Sequence, residues 1–87
     1  MEGKRVIVRC YGDEPRICVV YQVKNERVLV TDQNGLARLR EGLNGPCPIG
    51  FPKDNVFEYS LIAEMQIKRR QYDKAGFEWG QLKQFIL

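Results

Sequence analysis

The chain has 87 residues, of which 44% are hydrophobic, 29% charged and 10% aromatic, the balance of a globular domain rather than a disordered segment. Fourteen Lys and Arg against eleven Asp and Glu leave a net charge of +3, too mild to argue for nucleic acid on its own, and the absence of histidine removes the commonest base and metal ligand. No apolar run approaches the roughly 18 residues that a membrane-spanning helix needs, so no membrane partner is expected.

Lys4 to Tyr11 alternates, with Val6, Val8 and Cys10 on one face and Arg5, Ile7, Arg9 and Tyr11 on the other, which is strand periodicity. Gly12-Asp13-Glu14-Pro15 breaks it. A second strand over 16–24 carries Ile17, Val19, Tyr21 and Val23 in phase, and Asn25-Glu26 turns the chain into Arg27-Val28-Leu29-Val30-Thr31. Three antiparallel strands in a meander follow from this pattern.

Asp32-Gln33-Asn34-Gly35 ends the third strand, and Leu36, Leu39 and Leu43 at helical spacing predict a short helix near 36–42. Residues 44–49, around Pro46-Cys47-Pro48, read as loop or sheet edge. Gly50-Phe51-Pro52-Lys53-Asp54-Asn55-Val56 then reads as the end of one strand, a tight helical turn and the start of another. Ser60 is an N-cap for a long helix over 61–74, in which Glu64 is placed to pair with Lys68; Ala75-Gly76 would stop it. Trp79, Leu82, Phe85 and Ile86 suggest a second, shorter helix over 77–87.

The stretch from Ile49 to Val56 resembles SH3 domains, in which a Gly-aromatic-hydrophobic-Pro segment ends the fourth strand, a 3-10 turn follows and Val opens the fifth. Phe51, Pro52, Asp54 and Val56 match that pattern. The resemblance implies a five-stranded SH3-like barrel over residues 4–59, with Phe51 filling the barrel, Asp54 capping the turn and Val56 returning to the core. It does not extend to polyproline binding: Asn55 stands where the turn has Tyr, and no Trp lies within the barrel. The expected architecture is that barrel with an inserted helix, followed by a helical hairpin over 60–87 that packs on it to give one compact domain.

Cys10, Cys18 and Cys47 are odd in number and lack C-x-x-C spacing, so they read as small core or surface residues, not a zinc site. The first hairpin can set Cys10 and Cys18 face to face, as thiols. With a start that leads into a strand without an apolar signal region, the reading is a reducing, cytoplasmic setting. No nucleophile and base are paired, so neither an enzyme nor a cofactor is expected.

Two binding readings remain. In the first, Tyr11, Asp13, Glu14 and Asn55 on the barrel loops, or Trp79, Phe85 and Leu87 on the tail, form a protein-contact surface; Phe85 to Leu87 must otherwise be covered by the barrel. In the alternative, Arg5, Arg9, Arg16 and Arg27 join Lys68, Arg69 and Arg70 around a phosphate backbone. Leu61, Ile62, Met65 and Tyr72 form a helix stripe wide enough to bury against the barrel or the terminal helix, bordered by Lys68 and Arg69. Ala63 and Ile67 lie opposite, where a smaller second contact fits. Tyr11, Tyr21, Phe57 and Tyr59 can line a recognition surface, although Phe57 and Tyr59 share a strand face and such residues more often pack the core or the docked helix.

Overall fold

One inner strand of the sheet is covered on both faces, and this organises the molecule. In the computed structural model, which describes residues 3–42, 47–69 and 77–85, β1 (Arg5–Arg9) lies between β2 (Pro15–Lys24) and β5 (Val56–Glu58). With β3 (Arg27–Thr31) and β4 (Ile49–Pro52), these strands form one antiparallel sheet in the order β4-β3-β2-β1-β5. The meander of the first three strands is as the periodicity predicts.

Val6, Val8, Val20, Val28, Val30 and Val56 fill the inner face together with Phe85, and Phe51 packs beside them. Ile7 points the other way and is fully buried against Ala63 and Phe77, with Ile17, Ile67, Trp79 and Leu82 around it. The alternation of β1 therefore separates two cores rather than a core from solvent.

β2 is long because it serves two partners. Its first half pairs with β1 from Arg9↔Pro15 to Arg5↔Val19, and its second half pairs with β3. Between Val20 and Gln22 the register to β3 shifts, a bulge that bends the strand and resets its side-chain phase. Val23 consequently joins the inner cluster with Cys18 and Val20, instead of sharing the phase of Ile17 and Val19. Asn25 and Glu26, at φ of 52° and 62°, make the tight β2–β3 connection with two left-handed residues, the twist that suits a two-residue hairpin.

α1 (Gln33–Arg40) begins three residues earlier than the leucine spacing implies. The Asp32 carboxylate accepts from the Gly35 N–H and caps the first turn, which offsets the poor helix propensity of Gly35. Residues 43–46, including Leu43, fall outside the described part.

The fourth strand ends at Pro52, a 3-10 turn spans Lys53–Asn55, and the fifth strand opens at Val56. The turn starts at Pro52 without a side-chain cap, and Asp54 is exposed. A five-strand ladder was the expectation and is present, but it does not close into a barrel: β4 and β5 do not pair. The free side of β5 is taken by the C-terminal segment instead. Glu58 N–H donates to Lys83 C=O, Phe85 N–H donates to Val56 C=O, and Phe57 bridges Gln84.

That pairing also corrects the expected terminal helix. Trp79–Gln81 is a single 3-10 turn, followed by extended chain through Gln84. Gly80 in the middle disfavours a longer helix, and the edge of β5 offers Lys83 and Phe85 backbone partners that a helix would withhold. α2 (Leu61–Arg69) is a true helix, opened by Ser60, whose Oγ accepts from Ala63 N–H at 3.4 Å. Its expected continuation to Lys74 and the Ala75-Gly76 stop lie outside the described residues.

Candidate functional site

α2 sits on the sheet with the opposite face to the one expected. Ala63 is buried and Ile67 half-buried against Ile7, while Leu61, Ile62 and Met65 are 63, 74 and 40% exposed. Tyr72, the fourth member of the predicted stripe, falls outside the described residues. The cause lies in the polar residues. Glu64 is buried beside Ala63, accepts the Tyr59 hydroxyl, pairs with Lys68 at 3.0 Å and lies 3.8 Å from Arg5. Arg5 lies 4.1 Å above the Tyr59 ring, so the strand face offers α2 a charged and aromatic socket. Seating Glu64 in that socket fixes the rotation of the helix and leaves the apolar stripe outward.

The socket is reflected in proton affinities. The hydroxyl of Tyr59, then Lys68, hold the Glu64 carboxyl below its usual range despite the opposing effect of burial, and the same hydrogen bond raises the Tyr59 phenol.

A groove of about 270 Å³ runs beside this stripe, with Ile62 and Ala63 on one wall and Phe77 and Leu82 on the other. Its rim carries Ser60, Gln66, Glu78 and Gln81. Ile62 belongs to both the stripe and the groove, so the two adjoin, with polar side chains along the groove.

Two of the loop candidates, Asp13 and Asn55, meet at Arg9. Its side-chain Nε donates to Asp13 at 2.8 Å, its C=O accepts from Asn55 Nδ2 at 3.4 Å, and its guanidinium lies 5.2 Å from the Trp79 ring. Gly12 at φ 72° and Asp13 at φ 60° turn the loop sharply, and Tyr11 at its tip is fully exposed. The Arg9 hydrogen bond, then its charge, lower the Asp13 carboxyl, which is consistent with a loop held in one shape. Glu14 continues from this loop, and its C=O accepts the Cys10 N–H. Arg9 was counted as a phosphate ligand rather than as an organiser, because nothing in the spacing links residues 9, 55 and 79.

Trp79 joins this group from the tail. It stacks against Phe57 with centroids 5.1 Å apart and Phe77 with centroids 4.7 Å apart. Its Nε1–H is buried without an acceptor among the described residues. Phe85 does not belong to a contact surface: it is 2% exposed in the inner cluster, covered by the chain's own sheet. Leu87 lies outside the described residues.

The cations are dispersed. Arg5 and Arg9 are on the outer face of β1; Arg16 pairs in register with Val8 and belongs to the inner side; Arg27 donates to Gly50 C=O at 3.3 Å across β3 and β4. Lys68 is paired with Glu64. Arg70 and the side chain of Arg69 are outside the description.

Cys18 stands opposite Val6 in the β1–β2 register, so it is not the direct cross-strand partner of Cys10, but both side chains pack on the inner face of the sheet. All three cysteines are free. Among the described residues no group of His, Cys, Asp or Glu is arranged to hold a metal ion, and no helix is long and apolar enough to cross a membrane. Compared with known proteins, the chain matches no family model, no curated protein and no solved structure.

Proposed function

We propose that the chain is a small non-enzymatic binding protein, built on an SH3-like barrel left open between β4 and β5, that acts through protein–protein contact. The observation that carries this reading is the outward stripe of Leu61, Ile62 and Met65 on a helix already anchored by its other face. A small domain gains nothing in water from three large apolar side chains on one helix, whereas a partner that covers them gains their burial. The adjoining groove, which shares Ile62 with the stripe, places Ser60, Gln66, Glu78 and Gln81 beside it as hydrogen-bonding groups for such a partner.

The loop around Arg9 is the second element, with Tyr11 presented at its tip and Trp79 beneath it. The Arg9–Asp13 hydrogen bond and the sharp turn at Gly12 and Asp13 reduce the freedom this loop would lose on binding. The three free thiols accord with the reducing, cytoplasmic setting proposed from the sequence. Nucleic-acid binding has weaker support: Arg5, Arg9, Arg27 and Lys68 are each engaged by neighbours in the chain, and Arg16 lies on the opposite face of the sheet from Arg5 and Arg9.

The test is quantitative affinity capture from native extract with wild-type protein and the double variant Ile62→Lys, Met65→Lys. Point changes are preferable to removal of the tail, because α2 covers Ile7. Partners lost by the variant, with its unfolding transition unchanged, would support the reading. A capture profile identical for the two proteins would count against the helix face, and Tyr11→Ala would then examine the loop in the same assay.

A further inference from the structure

A separate cleft of about 240 Å³ opens at the β4 side of the sheet, between the β1–β2 turn and the inner face of β3 and β4. All three cysteines of the chain line it, although residues 10, 18 and 47 arrive from three different segments. Val30 and Phe51 extend its wall, and Ile49, 62% exposed, forms its lip. Thiols in such a wall behave as small apolar groups, and Cys18 in particular is kept protonated by burial, its pKa pushed up to about 11.

Two charged residues reach the cleft, and they differ in commitment. The Asp32 carboxylate is bound to the Gly35 N–H at the start of α1. Arg16 has no carboxylate within ion-pair distance among the described residues. A guanidinium at the mouth of an apolar, thiol-lined cleft matches a ligand with a hydrocarbon body and one anionic end, since its planar fork fits a carboxylate through two hydrogen bonds. The volume lies just under the ~300–1,000 Å³ of sites for drug-sized ligands, which limits the body to a short chain or a single ring.

We propose that the cleft bounded by Cys10, Arg16, Cys18, Cys47, Ile49 and Phe51 binds a small apolar carboxylate, with its hydrocarbon among the thiols and its charge on Arg16. This site is independent of the protein-contact surface on α2 and stands or falls separately from it.

The experiment is an amide NMR titration of the full chain with hexanoate and, in parallel, with hexan-1-ol, together with the rate of Cys47 alkylation by iodoacetamide read by mass spectrometry. Hexanoate should give saturable shifts at Cys10, Cys18, Val30 and Phe51 and slow the alkylation of Cys47. Arg16→Gln should weaken hexanoate by roughly tenfold, the worth of one charge-assisted contact, and leave hexanol nearly unchanged. Cys47→Trp, at an exposed rim position, should block both probes while leaving the unfolding transition in place. The proposal is overturned if hexanoate produces no saturable shifts, if hexanol binds as tightly as hexanoate with Arg16→Gln silent, or if Cys47→Trp leaves binding intact.

Discussion

At the β5 edge the chain returns on itself, while at the β4 edge no strand pairs among the described residues and the local sequence discourages pairing. Beside β5, Phe77, Trp79 and Leu82 pack on the outer core, the backbone of 83–85 pairs with the strand, and Phe85 enters the inner core. The tail therefore grips the edge from both faces. β4 has only four residues, ends in Pro52, follows Pro48, and has Gly50 C=O already accepting from Arg27. Short length, proline and a cation are the usual means of blunting an edge. The difference teaches that one edge is finished by burial and contributes to stability, whereas the other is finished by chemistry and leaves room for the cleft.

The largest expected effect tests the gripped edge. Phe85→Ala should cost about 3–5 kcal/mol in urea unfolding, the range for emptying a buried aromatic site, whereas Phe51→Ala at the half-buried β4 side should cost about half as much. Equal losses at the two positions would erase the distinction between the edges.

The Glu64 socket should give the next effect, through pH. Because the folded-state carboxyl titrates below its ordinary value, the stability it contributes is complete above the unfolded carboxyl range, about 4.3, and is lost as pH falls through the lowered folded value. Glu64→Gln should flatten that part of the stability curve and lower stability at neutral pH; thermal unfolding of both proteins across pH 3 to 7 checks it.

Glu26→Gly should raise stability by about 1 kcal/mol, since glycine removes the strain of a left-handed residue in the β2–β3 turn while touching neither edge. It serves as the control for the edge comparison, measured by the same urea titration. The smallest effect on folding is expected at the β4 edge: Arg27→Ala should change stability by less than about 1 kcal/mol yet increase light scattering at high concentration, by freeing Gly50 C=O.

Much of the sheet was legible because its signals are local. Alternation in 5–9 and 27–31, the breaker at 12–15 and the Pro52 turn each depend on a few adjacent residues. The bulge after Val20 was not, since no residue there is committed to it and the shift arises from fitting one long strand to two partners. The rotation of α2 escaped for a related reason: its apolar moment favours Leu61, Ile62 and Met65, and only the positions of Arg5 and Tyr59 in space show that Glu64 outweighs it. The tail misled as well, because Trp79, Leu82 and Phe85 keep helical spacing while serving two opposite faces of the sheet. For the candidate surfaces, the sequence names Asp13, Asn55 and Trp79 one by one, but their common attachment to Arg9 is a property of the fold.

The central claim is that the tail occupies the β5 edge with Phe85 inside and with the Leu61–Ile62–Met65 stripe turned to solvent. Nuclear Overhauser contacts in the full chain test it most directly. The account predicts contacts from the Phe85 ring to the methyls of Val6 and Val56, and from Ala63 and Ile67 to Ile7, with none from Ile62 to Ile7. Contacts from Leu61, Ile62 and Met65 to Ile7, with a Phe85 ring that meets no valine of the inner core, would contradict it.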